Sequence, residues 1–67
     1  MFIQVNGKKD EVPESLHTIA DLLSHYGLDK KVVIVEQNGV IIDKTTHSET
    51  LLTADDQLEF VHFVGGG

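Results

Sequence analysis

Scarce residue types limit what this chain can do by itself. It has no cysteine, so it has no disulfide, no thiolate metal site and no nucleophilic thiol, and a partner must supply any sulfur chemistry. Cationic side chains are few, since five lysines and no arginine stand against eleven Asp and Glu residues and leave a net charge of −6. This balance argues against nucleic acid and anionic membranes as partners and favours a more basic protein surface.

Long apolar runs are also missing. No segment approaches transmembrane length, and the start Met1–Val5 is too short and too alternating for a signal peptide, so we expect a soluble, cytoplasmic protein. The 67 residues suffice for one domain spanning positions 1–67. A domain of this size buries only roughly 60% of the surface of its unfolded chain. It has little room for a deep cleft, so an enzyme with its own walled active site is not expected.

Two Asn-Gly pairs predict the hairpins of a sheet. Asn6-Gly7 and Asn38-Gly39 suit two-residue type I′ turns, which need positive φ at both positions. The predicted strands are 2–5, 8–12, 32–35, 40–42 and 58–64. The run Val32–Val35 is continuously β-branched, which favours a strand with both faces covered.

One helix is predicted between the second and third strands. Thr18 is a suitable N-cap, because its hydroxyl can accept a hydrogen bond from the backbone N–H of Asp21. The apolar face at helical spacing consists of Ile19, Leu22, Leu23 and Tyr26. Gly27 suits the left-handed position that ends a helix, and Leu28 can fold back onto the apolar face.

The stretch before the last strand is predicted to be irregular. Residues 43–49 are polar and indicate a loop, after which Leu51 and Leu52 are expected to return to the core. Asp55-Asp56 indicates a turn, which is sufficient to explain both carboxylates. The order of elements predicts an α+β fold in which one helix packs across a mixed sheet, with the first and last strands as central neighbours.

The last strand alternates in a way that predicts a docking surface. If Leu58 and Phe60 pack under the helix, then Val61 and Phe63 face the other way and are exposed close to the C-terminus. Exposed apolar side chains at a strand end mark contact surfaces. Phe2, on the neighbouring strand, is expected to extend the same face. The alternative is that loops cover this face, and so short a chain has few loops to do so.

The terminal glycines Gly65, Gly66 and Gly67 follow an apolar segment directly. Residues without a Cβ can be drawn out and approached closely from every side, and the α-carboxylate of Gly67 has no side chain in its way. A carboxylate on such an arm suits insertion into the active site of another protein. The alternative is a frayed terminus without function.

No other residues suggest chemistry. The four histidines, His17, His25, His47 and His62, lack the spacing of a zinc motif and are expected to be surface or half-buried, so no metal site is predicted. His62 lies near the tail and could tune docking with pH. The glycines are not a phosphate-binding loop, because no lysine and no strand-to-helix turn accompany them, so the chain should not bind ATP itself.

Four segments, taken together, resemble a known family. They are Asn6-Gly7, Thr18-Ile19 with Leu22-Leu23, Val33–Asn38, and Val61–Gly67. The resemblance is to the ThiS family, the ubiquitin-like sulfur carriers of thiamine biosynthesis, and it covers the whole chain. One departure is the turn before the last strand, where the family often has Gly-Asp and this chain has Asp55-Asp56. Because Asp tolerates positive φ less well than Gly, the geometry of this turn stays open.

The resemblance implies a β-grasp fold and a defined role. In such carriers a ThiF-like enzyme uses ATP to adenylate the terminal carboxylate, here that of Gly67. Sulfur from a persulfide donor then replaces AMP, and the resulting thiocarboxylate donates sulfur to a ThiG-like thiazole synthase. All catalysis lies in the partners, so the resemblance implies a carrier that is not an enzyme and holds no cofactor. Gly65 and Gly66 would give the tail reach and thinness, and Val61, Phe63 and Phe2 would supply docking.

Three other functions remain compatible with the sequence. The small subunit of molybdopterin synthase is a sulfur carrier on the same fold, although such chains tend to be longer. A ubiquitin-like modifier would form isopeptide bonds to lysines of other proteins. An interaction module with an inactive tail would lose nothing when the last glycines are removed.

Overall fold

A computed structural model of the chain describes residues 1–62, which form a five-stranded mixed sheet and one α-helix. The elements in chain order are β1 (Phe2–Val5), β2 (Lys8–Glu11), α1 (Ile19–His25), β3 (Val33–Gln37), β4 (Val40–Ile42), a 3₁₀ helix (Lys44–Thr46) and β5 (Gln57–His62). The strand order across the sheet is β2-β1-β5-β3-β4. β1 and β5 run parallel, and the other neighbours are antiparallel. The predicted α+β arrangement is confirmed, and the first and last strands are neighbours within the sheet.

Both predicted Asn-Gly turns are present. Asn6 and Gly7 have φ values of 51° and 81°, and Asn38 and Gly39 have 51° and 86°. Positive φ at both central positions is the signature of a type I′ turn, whose twist matches that of the strands it joins. These turns set the register of the β1–β2 and β3–β4 hairpins.

Helix α1 begins and ends as its sequence predicts. The backbone N–H of Asp21 donates to Thr18 Oγ1 at 3.1 Å, and the backbone N–H of Thr18 donates to Asp21 Oδ2 at 3.2 Å, which completes a capping box. Gly27 has a φ of 72°, and the backbone N–H of Leu28 donates to the carbonyl of Leu23 at 2.8 Å. This left-handed glycine turns the chain back so that Leu28 packs against the core.

The core lies between α1 and one face of the sheet. Its buried members are Ile3, Val12, Ile19, Leu22, Leu23, Val33, Val35, Leu52, Leu58 and Phe60. The expectation that Val32–Val35 is covered on both faces is wrong, because Val32 and Ile34 are 65% and 44% exposed. A single helix can cover only one face, and no other element within residues 1–62 lies against the opposite one. We call that opposite surface the open face.

The segment between β4 and β5 differs from its sequence-based description in three places. Residues Lys44–Thr46 form a 3₁₀ helix, which Asp43 caps by accepting a hydrogen bond from the backbone N–H of Thr45. His47 is 8% exposed and therefore buried, unlike the surface or half-buried imidazole that was expected. Leu52 is buried but Leu51 is 66% exposed, because adjacent residues of an extended chain point to opposite sides.

No helix within residues 1–62 has the length and apolar character needed to cross a membrane.

Candidate functional site

The strand that leads into the glycine tail is the middle strand of the sheet. β5 pairs with β1 on one side and with β3 on the other. Beyond the end of β1, Asn6 continues the pairing, since its backbone N–H donates to the carbonyl of Leu58 at 2.9 Å and its Oδ1 accepts from the backbone N–H of Phe60 at 2.8 Å. β5 is thus held by hydrogen bonds on both sides as far as Phe60, whereas Val61 and His62 pair with β3 alone.

The tail itself lies outside the described residues. This applies to Phe63 and to Gly65, Gly66 and Gly67. Their predicted roles in docking, in insertion into a partner and in sulfur attachment therefore stay predictions.

The predicted alternation of β5 holds as far as the strand is described. Leu58 and Phe60 are 2% and 8% exposed and face α1, whereas Val61 is 54% exposed on the open face. Val61 lies directly opposite Ile34 of β3, which is exposed on the same face. We call Ile34 and Val61 the apolar pair. It is located at the end of the sheet from which the tail departs.

Phe2 shares the open face with the apolar pair but lies at the other end of it. The backbone N–H of Asp55 donates to the carbonyl of Phe2 at 2.7 Å, so Phe2 is level with the residues that precede β5. Val61 is six positions further along the chain than Asp55, which corresponds to roughly 20 Å along a strand. The Phe2 ring instead contacts Lys9, whose Nζ lies 4.8 Å from the ring centroid. One compact patch centred on Val61 therefore does not include Phe2.

An acidic pair adjoins the apolar pair. Glu36 and Glu59 are direct partners in the β3–β5 register. Glu36 follows Ile34 by two positions and Glu59 precedes Val61 by two positions, so both glutamates lie on the open face. Like charges directly opposite one another destabilise a sheet. A cationic side chain of a partner would relieve this repulsion, in keeping with the basic docking surface expected from the net charge.

Asp56 has a role that the sequence did not reveal. Its side chain is 4% exposed and joins three segments of the chain. Oδ1 accepts from Asn38 Nδ2 at 2.9 Å and from Thr53 Oγ1 at 2.7 Å. Oδ2 accepts from Gln37 Nε2 at 2.9 Å and from the backbone N–H of Thr53 at 2.8 Å. The carboxylate therefore fixes the turn that leads into β5, and the only sequence signal for it was a turn-forming Asp.

The hydrogen bonds to Asp56 outweigh its burial. Burial disfavours the charged carboxylate, but hydrogen bonds from the backbone of Thr53 and from the side chains of Asn38, Thr53 and Gln37 favour it, and the pKa of Asp56 is lowered. This group is charged at neutral pH and holds the turn in that form.

Asp55 adopts the conformation that a glycine would take at its position. Its φ is 67°, in the left-handed region. The turn before β5 therefore forms with a non-glycine residue in the left-handed region, a strained conformation for a residue with a Cβ.

The described histidines and carboxylates do not converge on a metal site. Within residues 1–62, no group of three or more His, Asp or Glu side chains is arranged to hold a metal ion. His17, His25 and His62 are exposed, and the buried His47 has an Nε2 atom without a hydrogen-bond partner.

Comparison with known sequences gives a consistent result. The family model described as "ThiS family" matches residues 3–67. The sulfur carrier protein ThiS of Bacillus subtilis (strain 168) is 48% identical over 66 residues, which covers 98% of this chain and all of that protein. Thiazole synthase of Magnetococcus marinus is 37% identical over 67 residues, a match that takes in the whole of this chain but only 20% of the synthase.

Comparison with solved structures agrees. The crystal structure of the thiamine biosynthesis protein ThiS from Geobacter metallireducens superposes with a TM-score of 0.83 and 32% sequence identity, and the match covers both chains completely. The β-grasp fold implied by the resemblance is thereby confirmed.

Proposed function

Because the chain belongs to the ThiS family, we propose that it is a sulfur carrier of thiamine biosynthesis whose reactive group is the α-carboxylate of Gly67. The observation that carries this proposal is the family match, which extends to residue 67 and so includes the glycine tail. The hydrogen-bonded position of β5 in the middle of the sheet supports it, since a rigid base lets a partner place the tail accurately. The chain is a carrier on which partner enzymes act, and it is not itself a catalyst.

The chemistry follows from the poor reactivity of a carboxylate. A partner enzyme transfers AMP from ATP to the Gly67 carboxylate and releases pyrophosphate, which creates an acyl-adenylate with a good leaving group. The terminal sulfur of a persulfide attacks the carbonyl carbon and displaces AMP. Cleavage of the remaining S–S bond by a thiol, which supplies two electrons, leaves the thiocarboxylate on Gly67. The chain needs no cofactor for these steps, because ATP is bound by the adenylating partner.

Thiazole synthase is the proposed acceptor of the sulfur. In the Magnetococcus marinus and Paramagnetospirillum magneticum relatives, a segment as long as this whole chain is part of a protein described as thiazole synthase. Joining two domains in one polypeptide raises the effective concentration of each for the other, which favours their binding to one another. The proposal places both proteins in the cytoplasm, with a ThiF-like adenylating enzyme and a persulfide donor.

Intact-mass spectrometry tests the loading step. The chain is incubated with the adenylating enzyme of a ThiS-family system, ATP and a persulfide source, and B. subtilis ThiS is treated in parallel as the positive control. We expect a mass gain equal to the exchange of one oxygen for one sulfur, and no gain after deletion of Gly67. Transfer is then followed as loss of this mass on addition of thiazole synthase and its other substrates. A chain that stays unmodified while the control is loaded would refute the proposal.

A further inference from the structure

The two edges of the sheet are protected to very different degrees. β2 forms one edge with four charged residues, Lys8–Glu11. β4 forms the other edge with the apolar residues Val40, Ile41 and Ile42, of which Val40 and Ile41 are 61% and 68% exposed. Charged side chains on an edge strand discourage other strands from pairing with it, and an exposed apolar edge does not. β4 is therefore the edge that is open to pairing.

The register shows which backbone groups of β4 are free. The type I′ turn makes Gln37 and Val40 a hydrogen-bonded pair, so the next pair, Glu36 and Ile41, is non-hydrogen-bonded. The N–H and C=O of Ile41 consequently point away from β3. Within residues 1–62 no strand lies on that side of β4.

We propose that the outer edge of β4, centred on Ile41, is a pairing site for an extended segment of thiazole synthase, which adds to the sheet as a sixth strand. The inference rests on the proposed function, because that function supplies the partner. The free N–H and C=O of Ile41 would exchange hydrogen bonds with the backbone of the added segment, and Val40 and Ile41 would contact its side chains on the two faces.

Charge decides against a second copy of this chain as the occupant. Each copy carries a net charge of −6, so pairing of two β4 edges would bring like-charged molecules together over only three residues. A segment of a less acidic protein meets no such repulsion.

The β4 edge is also continuous with the apolar pair on the open face. Ile41 is the direct partner of Glu36, and Glu36 lies two positions from Ile34 along β3. One partner can thus contact the open face and the edge together.

A proline substitution tests the backbone contact with a matched control. Ile41→Pro removes the outward N–H without disturbing the β3–β4 ladder, since that N–H makes no bond to β3. Lys9 occupies the corresponding position of the β1–β2 hairpin, opposite Gln4, and its N–H also points outward. We expect Ile41→Pro to weaken binding to thiazole synthase roughly tenfold or more, because a hydrogen bond and its neighbouring contacts are lost. Lys9→Pro should leave the affinity unchanged.

The outcomes separate this inference from the proposed function. If wild-type chain binds thiazole synthase and Ile41→Pro binds equally well, the edge contact is refuted and the carrier function stands. If the wild-type chain does not bind the synthase at all, the proposed function itself fails. Equal weakening by both proline variants would also refute the specific role of β4.

Amide hydrogen exchange of the wild-type chain is a second test, which needs no substitution and therefore does not depend on whether a variant folds. The Ile41 amide should exchange fast in the free chain, because it lacks a partner within the sheet, and should become protected when thiazole synthase is added. The Lys9 amide serves as the internal reference and should exchange fast in both states. An Ile41 amide that stays unprotected in the complex would overturn the proposal.

Discussion

The carboxylate of Asp56 accepts a hydrogen bond of 2.9 Å from the side-chain amide of Asn38, although the two residues lie 18 positions apart. Asn38 also contacts the next residue, because its Oδ1 accepts from the backbone N–H of Gln57 at 2.9 Å. These two bonds join the β3–β4 turn to the start of β5. The strand that leads into the glycine tail is therefore positioned by side chains as well as by the sheet.

We expect Asp56→Asn to lower the free energy of unfolding by about 2 kcal/mol. Each carboxylate oxygen of Asp56 accepts two hydrogen bonds, so either orientation of the Asn amide would place its NH₂ group against two donors. Urea unfolding followed by circular dichroism measures the change. Asp55→Asn is the matched control, since Asp55 is exposed and Asn also tolerates the left-handed conformation. A similar loss in both variants would contradict the role assigned to Asp56.

The same carboxylate predicts a loss of stability in acid. The pKa of Asp56 is lowered in the folded chain, so the unfolded chain binds a proton more readily. The contribution of the charged Asp56 carboxylate to the free energy of unfolding is therefore complete above the pKa of the unfolded chain, near 3.8. It is lost as the pH falls through the lower pKa of the folded chain. Urea midpoints between neutral pH and pH ~2 should decline steeply in the last two units for the wild type. The urea midpoint of Asp56→Asn should decline less over the same pH range. An identical decline in both proteins would show that other groups govern acid unfolding.

A third prediction concerns the left-handed Asp55. We expect Asp55→Gly to raise the free energy of unfolding by roughly 0.5–1 kcal/mol, because glycine adopts positive φ without steric cost. Ala54→Gly next to it should lower stability by a similar amount, since Ala54 does not have positive φ and glycine adds only freedom to the unfolded chain. Opposite signs in the two urea unfolding curves are the expected result. Destabilisation by Asp55→Gly would mean that the Asp side chain contributes more than its backbone strain costs.

The features of the fold that could be predicted from the sequence are those that depend on residues close together along the chain. The two Asn-Gly turns depend on the φ preference of the two residues themselves, and the Thr18–Asp21 capping box depends on groups three positions apart. The alternation that exposes Val61 follows from the two-residue period of a strand. None of these features requires knowledge of distant residues.

The features that were missed depend on distant partners. The donors to Asp56 from β3 and its turn lie 18 and 19 positions away, so no local pattern indicates a buried carboxylate. The run Val32–Val35 has the composition of a buried strand, but only the number of layers decides whether both faces are covered. The separation of Phe2 from Val61 follows from the parallel register of β1 and β5, which sequence alternation does not specify.

A fourth prediction tests that separation directly. Val61→Asp should weaken binding to the adenylating enzyme by tenfold or more, because it places a charge in the apolar pair beside the tail and next to the acidic pair Glu36–Glu59. Phe2→Asp, roughly 20 Å away on the same face, should have a much smaller effect. Because Val61 lies in the middle strand of the sheet, circular dichroism and thermal unfolding are measured for both variants, and affinities are compared at a temperature at which both are folded. Equal weakening would show that the partner covers the whole open face and that Phe2 belongs to the docking surface.

The last prediction concerns Gly66, which precedes the proposed reacting carboxylate. Gly66→Val introduces a β-branched side chain beside that carboxylate and restricts the backbone there. We expect the rate of adenylation, measured as ATP-dependent release of pyrophosphate, to fall at least roughly tenfold, because a narrow active-site channel that admits glycine would exclude valine. Within residues 1–62 the buried core ends at Phe60, six positions before Gly66, so we expect the melting temperature to stay the same. Normal adenylation of the variant would mean that the tail need not be thin, and the carboxylate would then be reached in some other way than by insertion of a slender arm.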